Sequence, residues 1–211
     1  MRVNNGIGIF GSSSQAREVA DICLEIGFKN LLFIDIKEGK DPITGIEIVS
    51  ESNINEYYEK YSFVIGVGDG AIRKKIYRKF NNLKFINIIH PSATFGRMQL
   101  NELQRHKGNI VGAGVRFSNN IKMGDFGLFN SNATIAHDCI IEDFVTISPG
   151  ANIAGNVHLH EEAFIGIGAT VIQGKGVHEK LHVGPNSIVG AGAVVINNIA
   201  PHAIVKGIPA K

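Results

Sequence analysis

From Val111 to Val195 every sixth residue is apolar, and no other feature of the chain constrains its fold so strongly. The series runs Val111, Phe117, Met123, Phe129, Ile135, Ile141, Ile147, Ile153, Leu159, Ile165, Val171, Val177, Val183, Val189, Val195. In a chain that is 44% hydrophobic, chance agreement at all these places is on the order of one in 10⁵. Four residues after each of them the side chain is usually small or aliphatic, as at Ala133, Cys139, Val145, Ala151, Val157, Ala163 and Ala169. This is a hexapeptide repeat. Three hexads close one triangular coil, and stacked coils make a prism of short parallel strands with the sixth residues filling its axis. The run predicts roughly five coils. Segment 91–108 breaks the period and reads as an entry coil interrupted by a loop. Lys175, at an otherwise small or apolar place, marks a local bulge in "QGKGVHEK".

The first half has a different grammar. Short apolar runs at 5–11, 30–36 and 62–69 alternate with helix-like segments at 12–27, around 51–58 and at 70–80. That alternation predicts a small parallel sheet of Rossmann type. The expected organisation is an α/β Rossmann-like domain over 1–85, then an all-β prism over 86–211. Net charge is +2 with no block of like charge, which gives no electrostatic footprint for nucleic acid. The apolar run near the N-terminus is too short for a signal peptide or a membrane span. Cys23 and Cys139 sit in unlike contexts and imply neither a disulfide framework nor a zinc knuckle. A reduced, cytoplasmic protein is expected.

Candidate chemistry follows from columns of residues 18 apart. Above His137 the column reads Gly155, Gln173, Ala191, and below it Asn119. A histidine beside a strip of bare backbone leaves room for an extended ligand, and Asp138 can hold its tautomer. The alternative is one exposed turn residue among eight histidines. In the first domain, Gly11-Ser12-Ser13-Ser14-Gln15 forms a strand-to-helix turn able to bind phosphate or sugar, or simply a tight turn. Asp35 ends the second strand, and "GVGDGAIR", with Gly68 and Arg73, is the third loop at that sheet edge. Open α/β sheets bind ligands there, although G-x-G-x-x-G is absent. Zinc needs three well-aimed nitrogens and an open position. His158, His160, His178 and His182 offer one stacked pair, His160 with His178, and no clear third, so no metal is expected.

The stretches "GIFGSSSQAREVADI", "VIGVGDGAIRKKIY", "NSNATIAHDCIIEDFVTISPGANIAGNV" and "VKGIPAK" together resemble the bacterial sialic-acid O-acetyltransferase and nucleotide-4-amino-sugar N-acetyltransferase family. The resemblance covers essentially the whole chain. It implies a left-handed β-helix, a cytoplasmic homotrimer with active sites between subunits, and acetyl transfer from acetyl-CoA. The implied acceptor is the amine of a UDP-linked 4-amino-6-deoxy sugar for surface polysaccharide or glycan synthesis. O-acetylation of sialic acid is the alternative, and a metal-dependent hydratase or hydrolase on such a prism a weaker one. The resemblance further implies His137 as general base, with Asp138 and Asn130 beside it. Thr146, Gly155, Gly168, Ala191, Lys206 and Lys211 are implied as cofactor contacts. At 146 relatives often carry a histidine, and at 191 a glycine. Gly11 to Gln15, Asp35, Gly68 and Arg73 are implied to hold the nucleotide sugar.

Overall fold

The computed structural model describes residues 6–176 and 179–211. The first domain is a five-stranded sheet in the order β3-β4-β2-β1-β5. Its strands are β1 (Gly6–Phe10), β2 (Leu31–Asp35), β3 (Gly39–Lys40), β4 (Glu47–Ser50) and β5 (Tyr61–Ile65). All neighbours are parallel except β3 with β4. Helix α1 (Ser14–Glu25) buries Ala16, Val19, Ala20, Ile22 and Cys23 on one stripe, at the spacing of an amphipathic helix. Burial pushes the Cys23 thiol up to about 12, so it is core and not a nucleophile. The β3–β4 hairpin lacks a strong apolar run and was not foreseen. The helix expected near 51–58 is a 3-10 segment, Glu51–Glu56. Helix α2 (Gly70–Lys79) is capped by Asp69, whose side chain accepts from Ile72 N.

The second domain is the prism that the hexads predict, a left-handed parallel β-helix as the resemblance implies. Its first face stacks seven strands, from Ile88–Ile89 to Ile204–Val205. The second face stacks six, among them Thr134–Ile135 and Asn152–Ile153. The third carries Ile140–Ile141, Val157–Leu159 and Leu181–Val183. The stack is deeper than five coils because the entry coil and the C-terminal strand join it. Sixth residues such as Phe129, Ile147, Ile165 and Val189 are at most 1% exposed along the axis. At many of the edges between faces the chain turns through one left-handed residue, including Asn120, Asn132, Asp138, Asn156 and Gly168. Asn, Asp and Gly take that conformation at least cost. In the entry coil Thr94 pairs with Arg116, twenty-two residues on, and the surplus forms helix α3 (Gln99–Leu103).

The bulge at 175 is larger than expected. Asn152 pairs with Thr170, eighteen residues on, but Val157 pairs with Leu181 and Thr170 with Val194, each twenty-four on. A whole extra hexad has entered. It leaves the inward-facing register intact and moves every later residue back by one edge. Val177 and His178 lie outside the described residues.

The first domain docks on the outside of the first face. Ile7, Ile9, Val19 and Val64 share one buried cluster with Ile88, Ile110 and Leu128. Along the third–first edge, Phe126 and Phe144 stack with ring centroids 5.2 Å apart, and Tyr77 of α2 packs on Phe126 at 4.5 Å. At the centre lies Arg73, 1% exposed. Its Nε donates to Phe126 O at 3.0 Å, and Nη2 to Phe144 O at 2.7 Å and Val145 O at 3.0 Å. Nη1 reaches Gly68 O at 2.9 Å, Val67 O at 3.0 Å and Thr146 Oγ1 at 3.0 Å. Thr146 is 2% exposed and donates its hydroxyl to Gly68 O at 2.9 Å. The expected direct contacts of Arg73 with substrate and of Thr146 with cofactor are therefore corrected. Both side chains are consumed in fastening the Gly68 loop to the prism. Burial lowers the Arg73 guanidinium to about 10, so it remains charged at neutral pH.

Lysine cannot reproduce a planar fork that reaches both domains. Arg73→Lys should therefore lower stability by at least about 3 kcal/mol, because several buried carbonyls lose their donor. Urea unfolding with an unchanged midpoint, beside a raised acceptor KM, would instead make Arg73 a ligand contact.

Candidate active site

His137 stands on the edge between the second and third faces, following strand Thr134–Ile135. That edge is opposite the face on which the first domain docks. The left-handed turn at Asp138, φ 61°, folds its carboxylate back toward the preceding imidazole. Asp138 Oδ2 lies 2.7 Å from His137 Nδ1, so the ring donates there and keeps Nε2 as its acceptor. The His137 side chain is 59% exposed. One coil below, the Asn120 amide donates to Asp138 Oδ1 at 2.5 Å. The Asn120 amide and the His137 ring together hold the Asp138 carboxyl below its usual range. The result is a line of three side chains ending in an exposed basic nitrogen, an arrangement suited to removing a proton from a bound nucleophile.

Asn120 lies 18 residues before Asp138, so the column of Asp138 carries the signal for it, whereas the column of His137 does not contain it. Lys180 and Asn156 were hidden by the extra hexad. Lys180 Nζ donates to Asp138 O at 2.5 Å and to Asn156 Oδ1 at 2.7 Å. Asn156 N donates to His137 O at 2.8 Å, and its amide reaches Gly176 O and Glu179 O of the bulge. The bulge thus clasps the backbone that carries His137.

Gly155 does lie directly above His137, but it is not open wall. A Cβ built there would stand 2.7 Å from His137 Cε1 and 2.8 Å from Nε2. The imidazole lies flat on the glycine, which is buried beneath it. The rest of the expected column is corrected by the extra hexad. Residue 191 falls one edge away, on the first–second edge with Gly168, and both are exposed there. Lys206 follows Ile204–Val205 on that same edge and closes a mutual backbone pair with Lys211. Asn130 also belongs to the first–second edge, 8% exposed, with its amide on Ile147 O at 3.3 Å. Within one chain it does not meet His137. The site residues therefore fall on two edges, with His137, Asp138 and Gly155 on one and Asn130, Gly168, Ala191, Lys206 and Lys211 on the other.

In the first domain, the loops after β1, β2 and β5 gather at one sheet edge. Gly11, φ +98°, donates its N–H to Ile34 O at 2.8 Å. Ser12 Oγ donates to Asp35 Oδ2 at 2.5 Å, and Ile36 N to Asp35 Oδ1 at 2.7 Å. Ser13 precedes α1 without a side-chain cap bond, and Ser13 and Ser14 are exposed. Gln15 is half-buried and donates to Glu18 at 3.3 Å. Gly66 lets β5 close on α1, since a Cβ there would stand 2.8 Å from Ala16 Cα. The crevice between β1 and β5 is where the strand order reverses, the usual ligand position in an open α/β sheet. Gly68 lies at its mouth with open space around it.

Of the expected His160–His178 pair, His178 lies outside the described residues. The register pairs His158 with His182. His158, His160 and His182 come together on the third face, so they are not separate solvated corner residues.

Gly155→Ala should leave the prism intact, because the new methyl displaces only the exposed imidazole. It should lower kcat by at least about tenfold through misplacement of the imidazole. Unchanged kcat in the folded variant would mean that the ring position has no bearing on catalysis.

Known proteins share this architecture. The PglD N-terminal domain model matches residues 6–80. A GDP-perosamine N-acetyltransferase of Escherichia coli O157:H7 is 31% identical over 175 residues, covering 78% of this chain and 77% of its own. The acetyltransferase domain of PglB from Neisseria gonorrhoeae FA1090 superposes with a TM-score of 0.85 at 28% identity, covering 99% of each chain. A variant of the Caulobacter crescentus GDP-perosamine N-acetyltransferase, solved in complex with CoA and GDP-perosamine, gives 0.85 at 27% identity. That match covers 98% of this chain and 96% of the other. The chain belongs to the nucleotide-amino-sugar N-acetyltransferase family, and it is an acetyl-CoA-dependent sugar N-acetyltransferase.

Proposed function

We propose that the protein transfers acetyl from acetyl-CoA to the amine of a nucleotide-linked 4-amino-6-deoxy sugar, with His137 as general base. The observation that carries this reading is the His137–Asp138–Asn120 line, which leaves an exposed imidazole nitrogen as proton acceptor. An amine attacking a thioester carbonyl must lose a proton as the tetrahedral intermediate forms, and the thiolate of CoA then leaves. Nε2 of His137 takes that proton, and ionised Asp138 stabilises the imidazolium. The product amide belongs to a sugar destined for a surface polysaccharide or glycan. The named acceptor of the relatives is GDP-perosamine. A GDP-linked sugar therefore comes first in testing, ahead of the UDP-linked sugar that the sequence resemblance implied. The same relatives favour an amine acceptor over the hydroxyl of sialic acid.

The active site is completed between copies of the chain, in a homotrimer. The crevice that would hold the nucleotide lies with Gly68 against Thr146 of the first face, whereas His137 is on the opposite edge. A first–second edge from one copy, set beside a second–third edge from the next, brings the two groups of site residues together. Asn130 and the first-domain crevice of one chain then face His137 of its neighbour. CoA would run along the groove between them, past Gly155, Gly168 and Ala191, with Lys206 and Lys211 available to its phosphates. Ser12 to Gln15 and Asp35 hold the nucleotide end of the acceptor.

His137→Ala should fold, keep near-normal acetyl-CoA affinity and lose at least about 10² in kcat. The acidic limb of the pH–rate profile should flatten with it. Asp138 is held ionised below the usual carboxylate range, so that limb does not belong to Asp138. Thiol release measured against GDP- and UDP-linked amino sugars and free sialic acid checks both claims. Turnover of the variant within a few-fold of wild type, or a preference for sialic acid, contradicts them.

A further inference from the structure

The third face carries a polar cluster that acetyl transfer does not use. Strands Val157–Leu159 and Leu181–Val183 bring His158 and His182 into register, and His160 follows the first of them. One donor atom from each of the three rings lies within 4.8 Å of the others. His160 Nε2 is 3.1 Å from His182 Nδ1. Glu142 Oε1 lies 2.6 Å from His158 Nε2 and 3.1 Å from His160 Nδ1. The His158 and His160 side chains are only 16% and 26% exposed.

We propose that His158, His160 and His182 bind one divalent transition-metal ion of the zinc class, with Glu142 orienting His160. Three neutral imidazoles are a donor set that such ions take, leaving a fourth position for water. Nitrogens bound tetrahedrally at about 2.0–2.1 Å stand roughly 3.4 Å apart, and His160 and His182 are already near that spacing. Glu142 accepts the Nδ1–H of His160 and so directs Nε2 toward His182, the carboxylate–histidine–metal arrangement. The His158 ring stacks on that of His160 at 3.8 Å. Metal entry therefore requires His158 to swing off the stack and move its proton from Nε2 to Nδ1, releasing Glu142, and His182 to move its proton from Nδ1 to Nε2, freeing Nδ1 for the ion.

Without the ion the neutral rings are still satisfied. Glu142 accepts from His158 and His160, and His182 Nδ1–H donates to His160 Nε2. The ion would tie together two coils separated in sequence by the extra hexad, bracing the bulge that clasps the His137 edge. It shares no ligand with that edge, so it is a structural ion and not a participant in acetyl transfer.

The test uses the full chain, without an affinity tag and stripped with a chelator, titrated with Co²⁺ and Zn²⁺. One ion per chain should bind by calorimetry, Co²⁺ should show visible bands of tetrahedral intensity, and Zn²⁺ should raise the melting temperature. His160→Ala and His182→Gln should each weaken binding at least tenfold, and Glu142→Gln by about 10- to 100-fold. Exposed His202→Ala should leave binding unchanged. Absence of binding at 0.1 mM metal would overturn the proposal, as would full affinity in folded His182→Gln. Should a histidine variant fail to fold, unaltered affinity in Glu142→Gln would overturn it as well.

Discussion

Every feature of the site depends on the requirement that one side chain in six point into the prism. Once that chain of Val, Ile, Leu and Phe is buried, each residue between them has a fixed address on a face or an edge. Edges take the left-handed turns, and at 138 the turn residue is an aspartate whose carboxylate returns to its neighbour's ring. The His137–Asp138 pair is therefore made from two adjacent residues on a rigid coil, with no loop to order. Asn120 below, and Asn156 and Lys180 above, fix the pair from both sides.

The same geometry separates His137 from the first-domain crevice. Buried Arg73 holds the Gly68 loop and α2 to the first face, where hydrophobic burial of Ile88, Ile110 and Leu128 also draws the first domain. Such a docking surface leaves the opposite edge free for His137. On the proposed reading, a chain built this way cannot deliver an acceptor from its own crevice to its own His137 around the prism. The proposed division of labour between neighbouring copies follows from where the apolar stripe of the first face lies. A trimer of the proposed kind would supply the geometry of the reaction and more than added stability.

The period, the two-domain order and the His137–Asp138 pair were all legible in the sequence, because each rests on local spacing. What escaped was positional. A bulge whose length was not a multiple of six would have broken the apolar series and announced itself at Val183. A bulge of one whole hexad preserves the series while moving Ala191 to another edge and pairing His158 with His182. Arg73 misled for a different reason. In sequence it sits in a loop-to-helix segment at a ligand-binding sheet edge, and only the docked prism shows its fork facing carbonyls. Gly155 was read correctly as a place without a side chain, but the space it leaves is filled by the imidazole itself.

The central claim is that base and acceptor crevice come from different chains, and mixed trimers test it directly. His137→Ala and Asp35→Ala proteins, each nearly inactive alone at limiting acceptor, would be dissociated, mixed and reassembled. If the site lies between copies, some interfaces in the mixed trimers pair an intact His137 with an intact Asp35. Thiol release should then recover to roughly a quarter of the wild-type rate, the share expected for random mixing of equal amounts. Activity no higher than the sum of the two variants, in trimers shown by mass spectrometry to have exchanged, would place both groups in one chain and contradict the account.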